Sequence, residues 1–219
     1  MSNKFLSTTS VFLLSTSMLV ADVPKVTVDI APVHSLVSKV MNGVGKADLI
    51  IPAGASPHEY QLKPSNAKSL EDADIVFWMG EDLTPWLEKG LSSLAQDAAV
   101  TSLLSVDSIE LLSFREGALF EAHDHDDHDD HDDHDDHDDH DDHDDHDDHD
   151  DHGHVHGEFD AHIWLDPMNA KEMIHEIAHE LGDLDPVNKN KYEANAQATI
   201  QTLDQLANDI EKGINKDAK

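Results

Sequence analysis

Residues 123–154 contain only His, Asp and a single Gly. That stretch does more than any other to narrow the folds open to the chain. It has no apolar side chain to bury, and its adjacent carboxylates repel, so nothing offsets the entropy of ordering it. The fold must be assembled from the segments on either side, 22–115 and 159 onward, with 116–158 as a disordered insertion between them. The insertion is built on the unit Asp-Asp-His. Its imidazoles are His123, His125, His128, His131, His134, His137, His140, His143, His146, His149, His152, His154 and His156. In an extended left-handed chain with three residues per turn the repeated histidines would fall on one line. Along an α-helix the same row would drift around the axis. Imidazole suits zinc, copper and nickel, and carboxylate suits harder ions. Many equivalent partial sites therefore arise, and nothing fixes where three or four ligands meet. The tract reads as a loose auxiliary store of divalent ions, or as an expanded repeat that only solubilises a loop. In neither case does it define one specific site.

The flanking segments alternate strand and helix signals. "VTVDI" from Val26 alternates as a strand does. Pro32 then suits a first helical turn, and Val33, Leu36, Val37, Val40 and Met41 follow at helical spacing until Gly43 and Gly45. "DLIIP" reads as a second strand, with a short helix capped by Ser65 after it. "DIVFWM" is a continuous apolar run, as in a strand covered on both faces. Leu83, Trp86, Leu87 and Leu91 mark another helix, and "AVTSLL" a fourth strand. The order predicts an α/β fold with a parallel sheet and helices on both faces. Beyond the insertion, "AHIWLDP" is strand-like, and a helix runs from about Met168 to Leu181. Residues 159–185 complete the same body. Residues 186–219 are the linking segment, in which one helix runs over 187–215, apolar at Tyr192, Ala196, Ile200, Leu203, Leu206, Ile210 and Ile214. At ~1.5 Å per residue it spans roughly 40 Å, a length typical of a helix joining two bodies.

Composition excludes several functions. The formal charge is −33, and the 19 Asp between His123 and His156 supply more than half of it. Nucleic acid is an unsuitable partner for such a surface, because phosphate binding needs a basic face. Cysteine is absent, which removes thiolate metal sites, disulfides, thiol catalysis and a lipidated N-terminal Cys. Residues 1–21 carry Lys4, an apolar run diluted with Ser and Thr, and Ala21. They read as a secretory signal peptide or as an uncleaved, unstructured terminus, too short and polar for a good membrane span. The expectation is a soluble, monomeric periplasmic protein that is not a lipoprotein.

Two histidines stand in segments that can hold a fixed geometry. His58 follows the second strand, at the carboxyl end where open α/β sheets bind ligands, and Pro57 and Pro64 stiffen its loop. His162 precedes Pro167 in "DAHIWLDP". Together they could form half of a tetrahedral zinc site. Taken singly, each also fits an ordinary surface histidine. His34, on the first helix, fits a surface position or one near the cleft, and Trp78, Trp86 and Trp164 read as packing residues.

"GASPHEYQLKPS", "DADIVFWMGEDLTPWLEK" and "HIWLDPMNAKEM" resemble, in order and spacing, the periplasmic zinc-binding proteins of bacterial zinc ABC importers. The resemblance runs from Val26 to the chain end and includes the acidic His-rich loop. It implies two lobes joined by a long helix, one Zn²⁺ in the cleft, and delivery of that zinc to a membrane permease rather than catalysis. His58 and His162 match the family's first two histidine ligands. The family's third lies in a Phe-His-Asp-Ala-Tyr-like motif that this chain lacks, so the chain resembles a first lobe with its linking helix. Some members place a Glu just before the first histidine, where this chain has Pro57, with Glu59 on the other side.

Two rivals remain open to the sequence. A periplasmic metal buffer that never docks to a transporter, or a non-functional fragment, is the first, made credible by the absent second-lobe motif. "HEIAH" at His175–His179 matches the zinc-protease pattern of two His at i, i+4 with a Glu as base. On a helical wheel, however, both histidines fall roughly 130–170° from the stripe of Ala170, Met173, Ile174, Ile177, Ala178 and Leu181, at ~100° per residue. That places them on a solvent face, whereas a catalytic zinc needs a shaped, dry cavity. No Ser-His-Asp order, phosphate loop or paired-carboxylate motif stands out.

Overall fold

All three residues of the first strand, β1 (Val26–Val28), are buried, because strands flank it on both sides. The computed structural model describes residues 22–114 and 159–217. In it β1 pairs in parallel with β2 (Ala47–Leu49) on one side and β3 (Ile75–Trp78) on the other. β4 (Ala99–Ser102) extends the sheet to the order β2-β1-β3-β4. The chain steps outward from β1 to β2, then crosses back to β3. Parallel crossovers are right-handed, so this reversal sends successive connecting helices to opposite faces. Accordingly α1 (Ala31–Val40) packs with α4 (Pro167–Leu184) and α5 (Lys189–Asp217), while α2 (Pro64–Glu71) packs with α3 (Pro85–Leu94). The expected α/β body, a parallel sheet with helices on both faces, is the observed fold.

The continuous apolar run forms the centre of this body. Ile75, Val76, Phe77 and Met79 have no exposed surface, and each such side chain contributes about 1.5–3 kcal/mol by leaving water. On the α1 face, Met173, Ile174, Ile177 and Leu181 of α4 meet the core together with Tyr192, Ala196 and Ile200 of α5. The first turns of α5 thus belong to the same core. Farther along, Leu206, Ile210 and Ile214 stay exposed.

Local chemistry moves several element boundaries. "AHIWLDP", expected as a strand, makes a single 3-10 turn at Ile163–Leu165. The Asp166 carboxylate accepts the N–H of Met168 at 2.8 Å and Pro167 occupies the first turn of α4, so the segment is spent on starting a helix. α2 begins at Pro64, and Asn66 rather than Ser65 ties its start by accepting the Lys63 N–H at 3.1 Å. The fourth strand stops at Ser102 and a 3-10 turn takes Leu103–Ser105.

The two flanks of the insertion leave the body side by side. Ser113 and Phe159 form an isolated antiparallel bridge, and the Asp160 N–H donates to the Leu112 carbonyl at 2.8 Å. Buried Asn169 fastens the same strip, accepting the Glu110 N–H and donating to the Glu110 carbonyl, both at 2.9 Å. The thirteen tract histidines, and the signal-like residues 1–21, lie outside the described residues.

Asp29, directly after β1, is fully buried. Its Oδ1 accepts the Ile30 N–H at 2.7 Å and its Oδ2 the Met79 N–H at 2.8 Å. The carboxylate thereby clips the carboxyl ends of β1 and β3 together. Gly80 follows Met79 at φ +135°, where a Cβ would lie 3.0 Å from both Leu104 Cδ1 and Ser102 Oγ. Burial outweighs the two donors and pushes the Asp29 carboxyl up to about 7 from 3.8. The folded state therefore holds this proton more tightly than the unfolded chain does. Its contribution to stability is fully present below about pH 4 and is lost as pH rises through about 7. Asp29→Asn removes the titration but turns an amide donor toward a backbone donor, at a cost of ~1–3 kcal/mol. Urea midpoints should show wild type more stable than the variant at pH 5, with the margin narrowing by pH 8. A margin that stays constant would mean that Asp29 does not titrate there.

Candidate metal centre

The loops beyond the carboxyl ends of the strands converge on His58 and His162. The first runs from β2 to α2. A turn at its start bonds the Ala55 N–H to the Pro52 carbonyl at 3.1 Å with Gly54 at φ +87°, a backbone state that glycine adopts without penalty. Its middle is pinned from α3: the Trp86 indole N–H donates to the Pro57 carbonyl at 2.7 Å. Its end is held by Asn66, whose amide donates to the Ile50 carbonyl at 3.1 Å while its oxygen accepts from the Tyr60 hydroxyl at 3.3 Å. Tyr60 and Trp86 also meet ring to ring, with centroids 5.8 Å apart. His58 is exposed, but the backbone that carries it is fixed on both sides.

His162 stands at the opening of the 3-10 turn that leads into α4. Asp160 holds it twice through one oxygen: Oδ1 accepts the backbone N–H at 2.9 Å and the Nδ1–H of the ring at 2.6 Å. A carboxylate can only accept, so this contact assigns the proton to Nδ1 and leaves the Nε2 lone pair free for a metal. The Trp164 ring lies 5.1 Å from the imidazole and limits its swing. A hollow of about 360 Å³ opens beside it, lined by Glu110, Leu112, Asp166 and Asn169 among others.

The His58 and His162 rings lie with centroids 5.9 Å apart and planes tilted by 56°, although 104 positions separate the two residues. Two imidazoles bound to one zinc at 2.0–2.1 Å and a tetrahedral angle have centroids about 5 Å apart, once about 1.2 Å of ring radius is added to each bond. A small rotation of two exposed side chains closes the difference. Among the described residues no group of three or more His, Cys, Asp or Glu is arranged to hold an ion. The two exposed rings thus stand at a separation that half of a tetrahedral site would require.

The other singled-out histidines are placed elsewhere. His34 Nε2 contacts the Ala47 carbonyl at 3.0 Å, at the β2 edge. His175 and His179 are exposed on α4, whose buried residues include the whole apolar stripe expected from the sequence. Two contributors escaped the sequence reading. Asp160 was available as a carboxylate two residues before a candidate ligand. Trp86 gave no such signal, because its partner carbonyl lies 29 residues away.

Residues 26–219 match the profile of a family described as zinc-uptake complex component A, periplasmic (ZnuA). The chain is 47% identical over 188 residues to the high-affinity zinc uptake system protein ZnuA of Brucella abortus, covering 84% of this chain and 56% of that protein. It is 44% identical over 194 residues to the protein of the same name from Paracoccus denitrificans, covering 89% and 58%. Among solved structures, the Zn(II)-bound AdcA of Streptococcus pneumoniae superposes with a TM-score of 0.58 at 22% identity, over 84% of this chain and 31% of that one, a likeness of fold. The chain spans about half the length of the curated relatives it matches.

Proposed function

Since this chain belongs to the periplasmic zinc-uptake complex component A family, we propose that it captures Zn²⁺ in the periplasm for delivery to the membrane permease of a zinc ABC importer. The single observation that carries the reading is the approach of His58 and His162 to 5.9 Å at the carboxyl edge of one parallel sheet. Zinc is the cargo, and His58 and His162 are two of its ligands. Asp160 is a positioning residue that sets the tautomer and direction of His162. The open side of the pair accepts further ligands from a second body, and the exposed apolar stripe of Leu206, Ile210 and Ile214 on α5 supports such a body packing there. Two imidazoles favour zinc over manganese, which takes more carboxylate. Residues 1–21 act as the export signal, and the protein works as a monomer without catalysis.

The test uses a version carried to the length of its relatives. Chelator-competition titration should find one tight zinc that manganese does not displace. A tight site that prefers manganese, or no tight site at all, defeats the reading. In the same assay Asp160→Asn should weaken the tight zinc by about 10–100-fold, the usual cost of losing an outer-shell partner. An unchanged constant would remove Asp160 from the site.

A further inference from the structure

His175 and His179 have no part in the cleft, yet they are the two histidines of the described chain that share one helical face. Residues at i and i+4 of a helix carry Cβ atoms about 5–6 Å apart, a spacing from which two imidazoles reach one ion at ~2.0–2.1 Å. Both side chains are exposed, and their surroundings favour a cation. They line a groove of about 500 Å³ between α4 and α5 with Glu172, Glu176 and Glu193, against which, among the described residues, Lys189 brings the one ammonium. That ammonium is engaged by Asp183 at 3.0 Å. His179 stands 3.7 Å from Asp183 and 3.9 Å from Glu180, beyond hydrogen-bond length, so its ring is not locked in another role.

We propose that His175 and His179 chelate a second divalent transition-metal ion on the α4 face, with a groove carboxylate and water completing its shell. The site is distinct from the cleft and independent of what the cleft binds. Among the described residues the groove carries no further histidine, and it is open to water, so the bound ion is held without the dry cavity that peptide hydrolysis needs. No third ligand is preset among the described residues, which makes this ion weaker than a tetrahedral structural zinc.

Histidine-specific acylation with diethyl pyrocarbonate, read by peptide mass spectrometry on the full chain, tests it. Trypsin cleavage after Lys171 and Lys189 releases one peptide that holds His175 and His179 and no other histidine, so the tract does not obscure the readout. Zinc chloride, added past saturation of the tract, should make both residues lose reactivity together along one binding curve. His175→Ala is a surface change that leaves the core intact, and it should abolish the protection of His179. Unchanged reactivity of both residues in excess zinc overturns the proposal. So does protection of His179 that survives His175→Ala, because that is binding to a lone ligand.

Discussion

Replacing His58 by Ala, in a version carried to the length of its relatives, should weaken the tight zinc by more than about 100-fold, beyond the 10–100-fold that loss of an outer-shell partner costs. Binding of the looser ions should persist. The reason lies in which parts are fixed. The loop's backbone is set by Trp86, Asn66 and the turn at Gly54, none of which touches the imidazole of His58 through a hydrogen bond. Removing an exposed ring from a scaffold held in this way changes stability by no more than about 0.5 kcal/mol. The ion, by contrast, loses one of its two proposed ligands, and among the described residues no group of three or more His, Cys, Asp or Glu is arranged to hold it instead. Glu59, the next residue, is exposed beside it. If Glu59 replaces the lost ligand, the tight constant will fall by much less than the stated factor. Chelator competition gives the constant, and a urea midpoint shows whether the fold is intact. A tight site that survives His58→Ala in a folded protein removes His58 from the metal centre.

What the sequence disclosed follows a physical division. Interactions between residues close in sequence, or repeated at one period, were legible. The run "DIVFWM" announced a strand buried on both faces because no polar residue interrupts it, and β3 is buried throughout. The wheel position of His175 and His179 was legible because the opposite stripe of α4 is unbroken. Ala161–Pro167 misled for the converse reason. Its apolar run Ile163–Leu165 is too short to separate a strand from a turn, and the capping Asp166 with Pro167 decided the matter. The Asp29 clip was not legible either: its two donors come from Ile30 and from Met79, 50 residues on, and only the pairing of β1 with β3 brings the second into reach. The candidate site is intermediate. His58 could be placed from the rule that ligands sit beyond the carboxyl ends of parallel strands. The 5.9 Å approach of His162 depends on the strip at 110–113 and 159–160, which returns the chain to the body after the insertion.

Deleting Asp124–His152 from the same extended version should lower the zinc stoichiometry from several ions to about one tight zinc, with only the weaker α4 ion beside it, and leave the tight constant nearly unchanged. Folding should tolerate the change. The flanks are already closed by the Ser113–Phe159 bridge and by Asn169 on Glu110, and loop-closure entropy shifts by only ~0.6 kcal/mol per doubling of loop length. A repeat of one ligand unit supplies interchangeable ligand pairs, so ions taken up through it would be loose. The proposed site brings two imidazoles together on folded loops, and its affinity would come from that geometry. The two are nonetheless coupled by position. The insertion returns to the body at Phe159, three residues before His162, so ions held on it are confined near the cleft at an effective concentration on the order of millimolar. The deletion should therefore slow zinc capture from a dilute pool while sparing the equilibrium constant. Calorimetric titration reads the stoichiometry and the constant, and stopped-flow competition with a fluorescent zinc chelator reads the rate. The opposite pattern is equally visible. If the tight ion disappears with the tract and survives His58→Ala, the repeat itself holds the cargo, and the metal buffer is the better account of the protein.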